Sequence, residues 1–391
     1  QARGAGLPQS GISGQGRFQA EWQEPSKTLS FSDLAMSAND SAVSGAGSVV
    51  LGDMPRWMLD LNFDTLNLEN LVAAQEVSGA TPQQQGQQAR PTPGRPVIAS
   101  EIHHDDYQLL RGFSAEARLT AKSLRWRGLD FTNVSAALKN DAGLLDIARL
   151  DGTLGQGRMS LPGRLDARTP EPAAAFRPAI DNIEIGDILR AFNYPIALTG
   201  RFSMHGDFTG GRIDADAFRG TWQGQADVSM ANSRMEGLNF QQLVQQAVER
   251  SSSNVSAQQN YDNATSLASF SAVARLNRGQ LRLDQMKGES AMLALDGTGQ
   301  LDLVKEQCDT RFNVRVTDGW KGDSALIARL QKTAVPLRVY GPWQQLSYSL
   351  DIDQALRKQL QDEAKRRLND WAERHKNSEK GKDVKELIDK L

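Results

Sequence analysis

The sequence predicts a mainly β protein built from many short strands and few helices. Apolar and polar residues alternate with a period of two over most of its 391 residues, which is the pattern of strands that bury one face. Glycine is frequent, with 34 residues, whereas aromatic residues make up only 6% of the chain. Many inward positions are therefore Ala, Gly or Met, and such side chains would fill a thick sandwich core poorly.

The two clearest strand patterns lie at 196–208 and 218–230. One face of the first strand carries Ile196, Leu198, Phe202, Met204 and Phe208, and one face of the second carries Phe218, Trp222, Val228 and Met230. Polar residues occupy the alternate positions of both segments. Gly210 and Gly211 lie between them and can form a tight turn. These segments predict a hairpin with one apolar face and one solvated face.

A short apolar step that leads from an extended segment into a helical turn occurs three times. The copies are Phe63, Leu66, Leu68, Leu71 and Val72; Ile180, Ile183, Ile185, Ile188 and Leu189; and Met235, Leu238, Phe240, Leu243 and Val244. Two of the copies flank the predicted hairpin. We interpret the step as an edge element at which the sheet restarts.

Composition divides the chain into four parts. Residues 1–77 predict an N-terminal β segment, and residues 78–100, rich in Gln, Gly and Pro, predict a disordered loop or linker. Residues 101–352 return to short strands, with one helix near 324–333. Residues 353–391 predict a helical tail, either docked on the end of the sheet or binding a membrane surface or a partner. The apolar stripe of its amphipathic helix is Leu356, Leu360, Ala364, Leu368 and Trp371.

Charge and residue counts exclude several functions. The 45 basic and 47 acidic residues nearly cancel, so no global field would attract nucleic acid. Cys308 is the only cysteine, which excludes an intrachain disulfide and a cysteine-based metal site. No apolar run approaches the roughly 20 residues that span a bilayer. Because the chain begins at Gln1, we expect a processed or truncated product whose targeting segment has been removed.

The candidates for catalysis are few. His103, His104, Asp105 and Asp106 form the densest group of potential metal ligands. Neighbouring residues of an extended segment point in opposite directions, so the start of a solvated strand is favoured over a metal site. With four histidines and one cysteine, a nucleophile with its general base has little support. The sequence predicts no enzyme, no metal and no cofactor.

The predicted apolar face must be buried by something other than the few short helices. One solution is a second sheet packed face to face, which gives an ordinary sandwich. The other is a sheet curled into a trough whose interior receives lipid acyl chains. Each buried methylene contributes about 0.8 kcal/mol, so a lipid with two tails would gain well over ~10 kcal/mol there. The pattern alone leaves both solutions open.

A resemblance favours the trough. The segment IDNIEIGDILRAF at 180–192 resembles the C-terminal region of the AsmA family, and 198–208 and 218–230 resemble the two strands that follow it in that family. The resemblance covers about 59–352. It implies an inner-membrane protein of Gram-negative bacteria, anchored by an N-terminal helix, whose large periplasmic β region carries phospholipids in an apolar groove. This chain would be the C-terminal periplasmic part, without the anchor.

The expected fold is therefore an elongated, strongly curved, mainly antiparallel sheet that forms an apolar groove, with short edge helices and an amphipathic C-terminal helix. The expected function is to bind phospholipid acyl chains and move phospholipids between the inner and outer membranes, in support of outer-membrane assembly and integrity. The expected lining residues are Leu119, Ile196, Leu198, Phe202, Met204, Phe208, Phe218, Trp222, Val228, Met230, Phe270, Leu276, Phe312 and Val314. The alternative is a periplasmic scaffold or assembly factor for outer-membrane proteins, with a closed β core.

Overall fold

The computed structural model describes residues 14–38, 41–69, 106–251, 255–257, 263–350 and 352–389. Within these ranges it forms one sheet of 19 strands and a separate ribbon of two strands. The mainly β prediction is confirmed. The linker predicted at 78–100 lies outside the described residues, as do His103, His104 and Asp105.

The strands follow one another closely along the chain. Those of the first half are β1 Gly14–Gln23, β2 Thr28–Ala38, β3 Ser41–Val50, β4 Arg56–Asn67, β5 Ser114–Trp126, β6 Leu129–Asp141, β7 Leu144–Leu154, β8 Gly157–Ser160, β9 Gly163–Asp166, β10 Ala173–Phe176 and β11 Ala179–Glu184. Those of the second half are β12 Leu198–Gly210, β13 Gln223–Glu236, β14 Val255–Ala257, β15 Ala264–Asn277, β16 Gln280–Glu289, β17 Leu293–Asp302, β18 Gln307–Val316, β19 Trp320–Gly322, β20 Val335–Pro342 and β21 Ser347–Leu350.

Helices are short except at the C-terminus. They are a 3₁₀ helix Asp106–Gly112, α1 Ile185–Ala191, α2 Ala215–Gly220, α3 Phe240–Ser251, α4 Ser324–Lys332, α5 Ile352–Arg374 and α6 Glu379–Asp389. The strand-to-helix step is confirmed in two of its copies, because β11 leads directly into α1 and β13 leads into α3. The first copy extends beyond Glu69, outside the described residues.

Sheet topology is almost a meander. Strands pair antiparallel with their neighbours in sequence from β1 to β4, from β5 to β7 and from β12 to β21, apart from the ribbon formed by β14 and β19. The short strands β8 and β9 both pair with β7, and β11 and β10 connect them to β12. One pair departs from the antiparallel prediction. Strands β4 and β5 are parallel, with Arg56 opposite Ser114.

The pairing register aligns the apolar positions of successive strands on one face, which we call the inner face. One cross-strand row consists of Ile183, Phe202, Met230, Phe270, Gly288, Leu295, Val314 and Val335. A row in the first half consists of Trp22, Leu29, Val49, Trp57 and Ala115. Because side chains alternate along each strand, the opposite, outer face is polar.

The strand ends form two rims along the sheet. At the first rim β5 turns into β6, β11 enters α1, and Leu198 at the start of β12 lies opposite Met235 near the end of β13. At the second rim the 3₁₀ helix precedes β5, and α2 joins β12 to β13. The second rim continues through the paired residues Gln223, Asn277, Gln280, Asp302, Gln307 and Pro342. Helices α1, α3 and α4 lie at the first rim, because α1 follows the end of β11 there, α3 follows the end of β13 and α4 precedes the start of β20.

The C-terminal tail is helical, as predicted, and α5 contacts β20, α3 and α4 at the end of the sheet. Of its predicted apolar stripe, Leu356 and Leu360 have side chains outside those that the structure describes. Helix α6 packs on α5, and the buried residues of the pair are Ala372 and Ile388. Leu368 and Trp371 of the predicted stripe are exposed, and Trp371 stacks on His375 with ring centroids 4.4 Å apart. The return of α6 onto α5 provides a partner for Ala372 that the sequence pattern did not reveal.

Candidate functional site

Eleven of the fourteen predicted lining residues lie on strands at inner-face positions. The register brings most of them together in the middle of the sheet. Phe202 and Met204 lie opposite Met230 and Val228, and Met230 lies opposite Phe270. Leu119 lies in the first half, between Leu61 of β4 and Ala136 of β6. Leu198, Phe208, Leu276, Phe312 and Val314 complete the set on β12, β15 and β18.

The other three predicted lining residues lie outside the strands. Ile196 precedes β12, Phe218 lies on α2, and Trp222 lies just before β13. The predicted strand start at Phe218 is therefore wrong. The cause is local, because the Asp214 side chain accepts a hydrogen bond of 2.8 Å from the backbone N–H of Ala217 and caps a helix there. The predicted turn at Gly210 and Gly211 is instead a longer connection that contains this helix.

Helices α3 and α4 cover the inner face of the last strands. Val314 and Leu337 are each only 1% exposed, in a cluster with Leu330 of α4. Phe240 of α3 packs against Phe312 with ring centroids 5.6 Å apart. The predicted lining residues Phe312 and Val314 thus belong to a side-chain core in this structure. Their predicted contact with lipid stays a prediction.

Two further clusters lie along the rims. At the first rim α1 packs over Ile180 and Ile183, and Phe202 and Met204 contact this cluster. At the second rim α2 and the 3₁₀ helix pack around Trp222 and Leu276, with Phe208 and Phe218 at its margin. The Trp222 indole N–H donates a 2.9 Å hydrogen bond to the carbonyl of Arg212. Each cluster therefore combines inner-face residues with a short helix at one rim.

Within the ranges that the structure describes, no helix covers the inner face of β1 to β4, and of the row of Trp22, Leu29, Val49 and Trp57 only Val49 is buried. Trp22 is 46% exposed and Trp57 is 37% exposed, although both lie on the apolar face. Leu29 and Met36 on the same face are exposed to a similar degree. The alternation of apolar and polar residues predicts strands here, but none of the expected lining residues lies on them. The available signal was the pair of tryptophans at inward positions of this segment.

The family follows from comparison with known proteins. The model of the AsmA family matches residues 2–286. The chain belongs to the AsmA family. Protein AsmA of Escherichia coli strain K12 is 53% identical over 395 residues, an alignment that covers 100% of this chain and 64% of the E. coli protein. The chain thus spans less than two thirds of that AsmA protein. No solved structure matches.

The outer face of this AsmA-family sheet carries paired charges. Asp284 accepts hydrogen bonds from Arg282 and Arg275, and these guanidinium groups hold the pKa of its carboxyl below the usual value. Asp309 is held in the same way by two hydrogen bonds from Arg338, of 2.9 and 3.0 Å. These carboxylates remain charged partners of arginine. The pairs favour a solvated surface over acid–base chemistry.

The described residues contain no group of three His, Cys, Asp or Glu that could hold a metal ion. His205, on the outer face, lies 3.3 Å from Asp181, and both side chains are well exposed. Cys308 is half-buried, and burial raises the pKa of its thiol, which Asp309 raises further. A neutral thiol is a poor nucleophile. Among the helices of the described ranges, none is long and apolar enough to cross a membrane.

Proposed function

We propose that the chain binds the acyl chains of phospholipids on its inner face and moves phospholipids between the inner and outer membranes. The observation that carries the proposal is the exposure of Trp22, Leu29 and Trp57, which share one cross-strand row of β1 to β4 with the buried Val49 and have no covering helix in the described residues. Membership of the AsmA family supports a role in the cell envelope and in outer-membrane assembly.

The energetics favour a flexible apolar ligand over solvent. Exposed apolar side chains on one face of a sheet leave free energy to be gained by burial, at about 25 cal/mol for each Å² removed from water. An acyl chain adapts to a face that mixes tryptophan, leucine and glycine, since it has no hydrogen-bonding groups to satisfy. The same face continues in a second row, where Leu61 lies opposite Leu119 and Leu119 lies opposite Ala136, which supplies a path along the sheet.

We place the chain in the periplasm, as part of a protein anchored in the inner membrane, with outer-membrane or periplasmic proteins as further partners. Transport by burial needs no catalytic group, metal or cofactor, so the proposed activity is not enzymatic. The paired charges of the outer face suit contact with water.

A second candidate, the periplasmic scaffold with a closed β core, is favoured by one observation. In the last strands the inner face is filled by the chain's own helices, around Leu330 and Leu337. If the open strands also served protein contacts, the purified chain would hold no lipid.

Mass spectrometry of lipids extracted from the purified chain tests the proposal. Trp57→Glu places a charge on the inner face, and we expect it to abolish most lipid binding. Its neighbour Met58 lies on the outer face and is 58% exposed, so Met58→Glu is the matched control and should bind as the parent does. Met204→Glu extends the test to the middle strands. Absence of phospholipid from the parent, or equal binding by Trp57→Glu and Met58→Glu, would refute the proposal.

A further inference from the structure

The connection between α1 and β12 extends away from the first rim and returns to it. Helix α1 begins after Glu184, and β12 starts at Leu198 on the same rim. Gly186 at the start of α1 lies close to the carbonyl of Leu198, so the two ends of this excursion are adjacent. The residues at its apex are Phe192, Asn193 and Tyr194, which we call the 192–194 strap.

The first contact of the strap is with the first rim of the N-terminal half. The Phe192 ring meets the Trp126 ring edge-on, with centroids 5.6 Å apart and planes at 71°. The Arg127 guanidinium lies over both rings, 5.4 Å from the centroid of Trp126 and 5.7 Å from that of Phe192. Trp126 and Arg127 lie where β5 turns into β6. This contact fixes one side of the strap by packing of rings and a cation.

The second contact is with the second rim of the C-terminal half. The Tyr194 ring lies 5.9 Å from the ring of Trp343, which directly follows β20. The backbone N–H of Trp343 donates to the carbonyl of Glu306 at 3.1 Å. Burial raises the pKa of the Tyr194 hydroxyl, the charge of Glu306 raises it further, and the charge of Arg219 lowers it. The strap therefore crosses the inner side of the curved sheet from one rim to the other.

Three buried N–H donors surround the strap without a hydrogen-bond acceptor in the described structure: Arg127 Nε, Arg219 Nε and Trp343 Nε1. A buried donor without an acceptor has lost its water and gained no partner, which opposes the conformation that buries it. The ring contacts of Phe192 and Tyr194 favour the same conformation. The ring contacts therefore stabilise the closed strap, whereas the three buried donors without acceptors destabilise it.

We propose that the 192–194 strap is a gate across the groove, latched by the contact between Tyr194 and Trp343. The inference rests on the proposed lipid-carrying function, because it concerns passage along the inner face from β1–β4 to β12 and β13. Opening the latch separates the two rims and returns the Trp343 and Arg219 donors to water or to the oxygen atoms of a passing headgroup. Phe192 and Arg127 keep the strap attached to the first rim.

Cross-linking tests the gate. In a Cys308→Ser background, a short bismaleimide joins Tyr194→Cys to Trp343→Cys. The control pair is Glu116→Cys and Lys139→Cys, two exposed outer-face positions whose side chains lie 3.7 Å apart, so that this cross-link does not span the groove. The measured quantity is the uptake of labelled phosphatidylglycerol from vesicles of phosphatidylethanolamine and phosphatidylglycerol. We expect the first cross-link to slow uptake relative to the same variant before cross-linking, and the control cross-link to leave it unchanged. Equal uptake by the linked and unlinked strap would overturn the gate.

A lipid-free measurement separates the gate from the proposed function. Hydrogen–deuterium exchange of the peptide covering 189–197 reports opening, because the Tyr194 amide is bonded to the carbonyl of Leu189. Trp343→Ala removes the ring contact, and we expect exchange to be up to about tenfold faster. Trp343→Phe keeps a ring and removes the unpaired donor, so exchange should be slower than in the parent. Faster exchange in Trp343→Phe, or no change in Trp343→Ala, contradicts the latch. A parent chain that binds no lipid refutes the proposed function, and the exchange result then decides the gate alone.

Discussion

Leu337→Ala should destabilise the chain strongly without reducing lipid binding. Leu337 is 1% exposed and lies in the cluster covered by α4, in contact with the core formed by Val314, Leu330 and Val335. Truncation to alanine removes apolar carbons worth about 0.8 kcal/mol each and leaves a cavity in a region held by a sheet and a helix. We therefore expect a loss of about 3 kcal/mol in the free energy of unfolding, which is more than ~100-fold in the equilibrium constant.

The assay is urea denaturation followed by tryptophan fluorescence, since Trp320 belongs to the same buried cluster. Leu29→Ala is the comparison on the open strands, where the side chain is 37% exposed. Its cost should be smaller, about 1 kcal/mol, because less of the side chain is removed from water. Bound phospholipid should fall in Leu29→Ala and stay constant in Leu337→Ala.

Two results would refute this reasoning. A cost below about 1 kcal/mol for Leu337→Ala would mean that α4 does not form a fixed cover over β20. A fall in bound phospholipid in Leu337→Ala, with the fold intact, would mean that lipid reaches the inner face of the last strands. In that case the distinction between the covered and open parts of the face fails.

Three further outcomes are expected. Asp214→Ala removes the N-cap of α2 and should cost about 1 kcal/mol in urea denaturation. Gly45 has a φ of +144°, and a Cβ added there would clash with the carbonyl oxygen of Asp60. Gly45→Ala should therefore lower the free energy of unfolding by about 2 kcal/mol. It should also weaken the pairing of β3 with β4, which hydrogen exchange measures. Hydrogen bonds from Arg168 lower the pKa of Asp166 from 3.8 to about 2, and Arg168→Ala should return it towards 3.8 in an NMR titration. Because the folded pKa is depressed, this pair stabilises the chain above pH 3.8 and loses its effect as the pH falls through about 2.

The sequence predicted which residues share a face, and the strand register agrees. Phe202, Met204, Val228 and Met230 lie together on the inner face because strand geometry places alternate side chains on the same side. The step at 180–189 was equally predictable, since an extended apolar run followed by helical spacing indicates a strand that enters a helix. The division into segments 1–77, 101–352 and 353–391 stays a prediction.

Local patterns failed where a polar residue changed the backbone conformation. The alternation at Phe218 fits a strand, but the capping carboxylate of Asp214 makes a helix there and moves the start of β13 to Gln223. The exposure of Leu368 and Trp371 in the predicted tail stripe has a different reason. Trp371 satisfies helical periodicity, yet α6 returns on the side of α5 that carries Ala372. Periodicity identifies a face but does not identify its partner.

The sequence by itself determined that the chain is mainly β and that its strands have one apolar face. Only the tertiary structure decided where that face is covered and where it is open. Val314 and Trp57 are both apolar and alternate alike, but one lies beneath α3 and α4 and the other lies in the open strands. The contact of Tyr194 with Trp343 likewise joins residues about 150 positions apart. Alternation is fixed by covalent geometry within a strand, whereas coverage depends on curvature and on contacts between distant segments.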